Sequence, residues 1–214
     1  MTADLLTAGD GDRHDRTRRH LGAEAHERVR RSRVLLVGAG AIGNEAAKNL
    51  AMLGVGRLDL VDFDAVRPSN LNRCVFFTTA HAAAGARKVD AVAAGLATFA
   101  PDVDVRTHPC RIQEAPPEVW DADLVLVAVD DHLARYHVNA CVLGAGREVP
   151  LVDAAMGRTF CQVQTLVPPR TACLVCLWTK EFHQRLLERV VRESCDEFFE
   201  RSVETFPSLP VLSG

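Results

Sequence analysis

The sequence predicts an α/β protein: a doubly wound, mostly parallel sheet with antiparallel strands toward the C-terminus and an N-terminal helical extension. Three observations predict it. From Val34 to Ala155, short apolar runs alternate with helical stretches, the pattern of βαβ units with right-handed crossovers. The first apolar run, "RVLLVGAG", enters a helix through Gly38, Gly40 and Gly43, spaced G-x-G-x-x-G. Farther on, "RTFCQVQTLVPP" alternates Phe160, Gln162 and Gln164 against Val163, Thr165 and Val167, as an antiparallel strand does.

Taken in order, residues 13–33 carry Leu21, Ala25 and Val29 at helical spacing among eight arginines, which predicts one amphipathic helix whose basic face is solvated. "RVLLVGAG" is a buried strand, "AIGNEAAKNLAMLG" a helix stopped by Gly54, and "GRLDLVDFD" a second strand. "GARKVDAVAAGLATFAP" is a helix ended by Pro101, and "VDVRTHP" a short strand. "DLVLVAVDD" is a buried parallel strand, followed by the helix "HLARYHVNACVLGAG" and the strand "PLVDAA". Beyond Pro168-Pro169 the alternation is lost, and a cysteine pair, a charged helix and a loop follow. This divides the chain into an arm and helix (1–32), a nucleotide-binding domain (33–168) and a cysteine-pair segment (169–214).

Composition bounds the function. The chain has 214 residues, 48% hydrophobic and 25% charged, as an ordinary globular protein does. A net charge of -3 gives no global pull toward nucleic acid. No apolar run reaches the roughly 18 residues a membrane helix needs, and the N-terminus shows no signal peptide. A cytoplasmic protein with seven free or metal-bound cysteines is expected. Only Lys48, Lys88 and Lys180 are lysines, so each is easy to weigh. Lys48 reads as a solvated helix-face residue, and His81, His132 and His137 as structural or solvated.

The glycine loop has the strand before it and the helix after it that a phosphate site requires. Asp62 ends the second strand, where an acid can bond a ribose hydroxyl, and Asp64 is counted with it among the nucleotide contacts. To this point NAD and ATP fit equally. The next stretch, "VDFDAVRPSNLNRCVFF", separates them. Ser69, Asn70, Asn72 and Arg73 fall within five positions, and Lys88 opens the next helix. Arginine offers a forked donor set for phosphate oxygens and lysine a point charge. Asp130 closes a buried parallel strand, where a carboxylate can hold Mg²⁺. These residues describe a triphosphate site with its metal.

"GAGAIG", "GVGRLDLVDFDAV", "SNLNR", "GARKVDA" and "VDDHLARYHVNACV", followed by a C-x-x-C segment, resemble in order the ThiF/MoeB/HesA family of ubiquitin-activating-type adenylyltransferases, over about residues 12–214. The resemblance implies a Rossmann-like fold and ATP-dependent activation of a C-terminal carboxylate, of a ubiquitin-like sulfur carrier or a small peptide, as an acyl-adenylate. Asp62 looks like the ribose contact, Asn70 and Arg73 like polyphosphate contacts, Lys88 like the lysine that neutralises leaving pyrophosphate, and Asp130 like the Mg²⁺ ligand. A homodimer is implied, in which an N-terminal arginine reaches the partner's site. "RHDRT" makes that Arg16, with Arg13 and Arg18 as substitutes. Cys74 stands where the family usually has Gln, and Asp131 where it usually has Asn.

Cys173 and Cys176 have the spacing of half a zinc site. The family's second pair normally lies farther on than this chain reaches, which leaves a truncated chain or closure by His183 or Cys195. Cys195 is also the candidate for a covalent acyl link, against an inert loop cysteine. Cys74, Cys110, Cys141 and Cys161 read as small core residues. The rival functions are the same chemistry on a natural-product precursor peptide or tRNA base, an inactive partner subunit, and an NAD dehydrogenase.

Overall fold

The computed structural model describes residues 13–157 and 159–192. Its centre is β1 (Arg33–Val37). Val34 and Leu36 face one side and Leu35 and Val37 the other, all buried, so the strand must be covered twice. β2 (Arg57–Val61) and β4 (Leu124–Val127) flank it in parallel, with Val34 opposite both Leu58 and Leu124. β3 (Asp104–His108) lies outside β2, and β5 (Leu151–Met156) is parallel to β4. β6 (Cys161–Leu166) runs antiparallel to β5 at the edge. The six-stranded order is β3-β2-β1-β4-β5-β6, a doubly wound Rossmann-type sheet as expected.

One face packs under α3 (Ala41–Leu53) and α5 (Lys88–Ala97) through Ala47, Ala51, Val89, Val92 and Leu96. The other packs under α6 (His132–Gly144) through Ala134, Val138 and Val142. Each fully buried leucine of the sheet, such as Leu35 or Leu58, contributes about 2 kcal/mol by leaving water. The β3-to-β4 crossover is made of 3₁₀ turns at Ile112–Glu114 and Pro117–Trp120. Pro116 and Pro117 in that segment cannot donate the N–H groups an α-helix interior needs.

One helix is added and several expectations change. "TTAHAAAGA" forms a helix, α4 (Thr79–Ala84): the Thr78 hydroxyl accepts the His81 N–H at 3.2 Å, and Gly85 ends it in the left-handed region. Cys74 and Cys141 are core residues, but Cys161 is exposed on the edge strand and Cys110 half-buried, so the core reading of that pair is corrected. The arm is two helices, α1 (Asp15–Leu21) and α2 (Ala23–Arg31), broken at Gly22, whose φ is 85°. Arg28 and Arg31 do sit on a solvated face, paired with Glu24 and Glu27, contacts of little stabilising effect. Arg13 and Arg30 are exposed as well, but they bond to residues distant in sequence. Arg13 donates to the carbonyls of Phe99 and, at 2.8 Å, Ala51. Asp102 gathers Arg13 at 3.1 Å, Arg30 at 3.2 Å and His14 at 3.4 Å. The buried His14 ring lies over Gly54, where a Cβ would stand 2.6 Å from it. After β6 the chain turns through Val175–Leu177 into α7 (Lys180–Arg192). Among the described residues, no helix is long and apolar enough to cross a membrane.

His137 sits in the α6 core between the Trp120 ring, 5.9 Å away, and the Cys141 Sγ at 3.4 Å. Burial pushes its pKa down to about 4. An unfolded histidine binds its proton near pH 6.5. Between pH 6.5 and about 4 the unfolded chain therefore holds the extra proton, and stability falls as pH falls. We predict a loss approaching roughly 3 kcal/mol across that window, with His14, lowered by burial and the Arg13 charge, acting in the same direction. Urea unfolding at pH 7 and pH 4.5 checks this: the drop should shrink in His137→Leu and persist in an exposed His20→Leu control.

Candidate functional site

The chain leaves β1 toward β2 and returns from β3 to β4 on the other side of β1, so a crevice opens at the carboxyl ends of β1 and β4. A cleft of about 680 Å³ lies there. Its floor is the glycine loop. Gly38 has φ 99°, and a Cβ on it would stand 2.7 Å from the Ala128 carbonyl oxygen of the neighbouring strand's end. Gly43 lets α3 close on the loop, since a Cβ there would meet the Gly38 oxygen at 1.9 Å. Gly40 differs: a Cβ on it would meet nothing within 4 Å, and it borders the cleft. No side chain caps α3, leaving its first N–H groups for an anion.

Asp62 accepts the Ala39 N–H at 2.7 Å on one oxygen and the Asp64 N–H at 2.8 Å on the other. It pins the glycine loop to the end of β2 while keeping lone pairs toward the cleft. Burial raises its pKa, against these hydrogen bonds and the Lys88 charge. The buried Asn44 amide donates to Ala39 and Gly40 and accepts from Phe76 N–H at 3.1 Å, joining the glycine loop to the stretch after β2. In that stretch Pro68–Asn70 forms a 3₁₀ turn, with Asn70 Oδ1 accepting from Arg67 N–H at 2.9 Å. Arg73 is exposed and donates to the Ser69 carbonyl and to Asn72 Oδ1. Lys88, at the start of α5, pairs with Asp64 at 2.6 Å.

Across the cleft, Asp130 follows β4. It is exposed, and among the described residues it forms no hydrogen bond or ion pair. Asp131, the departure from the family's Asn, caps α6 through the Leu133 and Ala134 N–H groups. Gly38, Gly40, Asp62, Asp64, Asn70, Arg73, Lys88 and Asp130 all line the one cleft, and Gly43 lies beneath it. Sequence reasoning missed Phe63 with the Arg111 guanidinium 4.3 Å over its ring, Met156 and Phe160 on the far wall, and the buried Arg135. Arg135 had a signal: it is a charged residue beside Ala134 and Val138 on the buried stripe of α6.

Mg²⁺ commonly takes one or two carboxylates, with substrate phosphates and waters completing its octahedron, and the free Asp130 carboxylate facing the glycine loop fits that role. The Cys173 and Cys176 Sγ atoms are 3.2 Å apart. Burial works against the Cys173 thiolate, but hydrogen bonds from Cys176 and Asn139 leave its pKa lowered. Among the described residues no third metal ligand joins them, and His183 instead contacts the Thr179 carbonyl. Cys195 lies outside the described residues.

A glycine loop thus faces an exposed carboxylate across the carboxyl end of a doubly wound sheet, where such sheets bind their ligands. The chain belongs to the ThiF family, whose model matches residues 14–203. It is 34% identical over 157 residues to the SUMO-activating enzyme subunit uba-2 of Caenorhabditis elegans, covering 72% of this chain and 26% of that one. It is 37% identical over 170 residues to the adenylyltransferase and sulfurtransferase uba4 of Aspergillus niger, covering 75% and 34%. Crystal structures of Escherichia coli MccB share the fold; the succinimide complex has a TM-score of 0.69 at 23% identity, over 84% of this chain and 56% of that one. The chain thus spans about a third or less of the length of these two curated relatives.

The two glycines should separate on substitution. Gly43→Ala is expected to cost roughly 3 kcal/mol of stability by backbone overlap. Gly40→Ala should leave unfolding within about 0.5 kcal/mol of wild type while its methyl fills the cradle and abolishes the thermal shift given by ATP. Melting curves of both variants, with and without ATP, are the check.

Proposed function

We propose that the protein is an ATP-dependent adenylyltransferase that activates the C-terminal carboxylate of a ubiquitin-like sulfur-carrier protein or a small peptide. The observation that carries the reading is the cleft itself, which brings a glycine loop, a cationic wall of Arg73 and Lys88, and the unpaired Asp130 to one place. Family membership supports it, as do relatives named as an adenylyltransferase and sulfurtransferase and as a SUMO-activating subunit.

In this reading a carboxylate oxygen of the substrate attacks the α-phosphorus of ATP. The bond from that phosphorus to the bridging oxygen breaks, and acyl-adenylate and pyrophosphate result, with no proton transferred. The protein's part is placement and charge. The glycine loop and the α3 N-terminus hold phosphate oxygens. Asp62 turns lone pairs toward the ribose. Asn70 and Arg73 orient the polyphosphate, and Lys88, leaving Asp64, meets the charge growing on pyrophosphate. When bound at Asp130, Mg²⁺ supplies further neutralisation of the phosphates. A thiol, sulfide or amine then attacks the acyl carbonyl, the bond to the phosphate oxygen breaks and AMP leaves, with Cys195 as a candidate acceptor of the acyl group. Cys173 and Cys176 are proposed as half of a structural zinc site, completed from outside the described residues.

Arg16 is proposed to complete the site of a partner copy in a homodimer. Arg13 is engaged by Ala51, Phe99 and Asp102, and Arg18 and Arg19 pair with Asp15. Arg16 is exposed on α1 and makes no ion pair among the described residues.

Arg73→Ala and Asp130→Ala should each lower ATP–pyrophosphate exchange by about 10²-fold or more, in an assay first shown to turn over wild type with a candidate carboxylate. Near-normal exchange in both, or calorimetry showing tight NAD and no ATP binding, would sink the reading.

Mixing Arg16→Ala and Asp130→Ala chains should restore part of the exchange, because one site of each hybrid dimer is intact. No rescue, or a monomer by light scattering, counts against the assembly.

A further inference from the structure

Arg135 and Asp153 form an ion pair beneath the cleft that neither the carboxylate nor the phosphate chemistry uses. Both are nearly fully buried, at 5% and 4% exposure. Arg135, one turn into α6, donates through Nη1 to Asp153 Oδ1. Its Nη2 donates to the Val129 carbonyl and, at 3.0 Å, to the Ala154 carbonyl. The first lies just beyond the carboxyl end of β4 and the second within β5. Val129 is the residue immediately before Asp130, so one guanidinium ties the two strands and fixes the backbone from which Asp130 projects. The charge of Arg135 also reaches the Asp130 carboxylate. A lone guanidinium in that place would draw Asp130 down toward itself. Asp153 takes up the charge first, from the opposite strand, with the fork filled on its other side by carbonyls.

We propose that the Arg135–Asp153 pair is the positioning device for Asp130: Arg135 fixes its backbone, and Asp153 neutralises Arg135 so that the Asp130 carboxylate stays free for a divalent cation. The device deepens the adenylation reading above and rests on its assignment of Asp130. It assigns Asp153, in the "PLVDAA" strand, a role in the site although it does not line the cleft. A buried acid that served only to stabilise the fold would have no preference between metal and nucleotide. Here the preference has a sign. Removing the Asp153 charge adds a net positive charge beneath the cleft, which opposes a cation and favours a triphosphate.

The test uses Asp153→Asn, binding of Mn²⁺ followed by electron paramagnetic resonance with α,β-methylene-ATP present, and calorimetry of the same analogue without metal. Mn²⁺ affinity should fall by about tenfold, and metal-free analogue affinity should stay level or rise, the split expected when one unit charge changes nearby. A second variant, Arg135→Met with Asp153→Asn, removes both charges and guards against failure of the first to fold, since an unpaired buried arginine is destabilising. It should still weaken Mn²⁺ binding, because the Val129 and Ala154 carbonyls lose their shared donor and the Asp130 backbone is no longer fixed, while metal-free analogue affinity stays within about threefold of wild type, because no net charge is gained. Parallel loss of both ligands in Asp153→Asn, no change in either, or unchanged Mn²⁺ binding in the folded double variant overturns the inference. Wild type that binds no analogue at all would instead overturn the adenylation reading, and this inference with it.

Discussion

The approach of Gly38 to the Ala128 carbonyl is the contact on which the site depends. It is possible only without a Cβ and only at a left-handed φ of 99°. It brings the turn after β1 against the end of β4, and Gly43 then seats α3 on that turn. The positive end of a helix and the acid after β4 therefore face each other across one cleft. Asp62 and Asn44 secure the same turn from the β2 side and from within α3. The geometry is overdetermined by short polar contacts rather than by bulk packing, as suits a surface that must keep its shape when filled.

Helix α6 organises the other wall. Asp131 caps its start, Arg135 ties the exit of β4 to β5, and His137 and Cys141 bury its middle. Asn139 accepts the Leu174 N–H at 2.8 Å and so fastens the cysteine turn to the same helix. His132, Trp178 and Phe182 pack edge to face at its N-terminus, with ring centroids 4.7 to 6.0 Å apart. The cysteine segment and the cleft wall are thus built on one rigid element, although they lie more than 40 residues apart in sequence.

Much of this was legible because periodicity and glycine spacing are local signals. The order of apolar runs located all six strands, and residue types at strand ends located the cleft. What was missed depends on partners distant in sequence. Arg135 stands on the apolar stripe of α6, but its role shows only once Asp153, 18 residues on, is brought beneath it. Arg13 looks like one of a basic run until Phe99 and Asp102 are folded beside it. Thr78 and His81 cap α4 through side chains that a compositional view reads as an alanine tract. Cys161 was misplaced because β6 is an edge strand with an exposed face, a property of the sheet order and not of the strand's own residues.

The anchoring of the arm has a consequence for the order of events in folding. Arg13 bonds to Phe99 across 86 positions of sequence, and its other acceptors, Ala51 and Asp102, belong to the ends of α3 and α5 and their exits. None of these acceptors is in place until the β1–α3–β2 unit and α5 have come together. Closing so long a loop costs entropy that local contacts cannot offset. The first described helices are therefore the last of this half to be fixed, and Arg16 is held in its outward position only after α3, α5 and the start of β3 have come together.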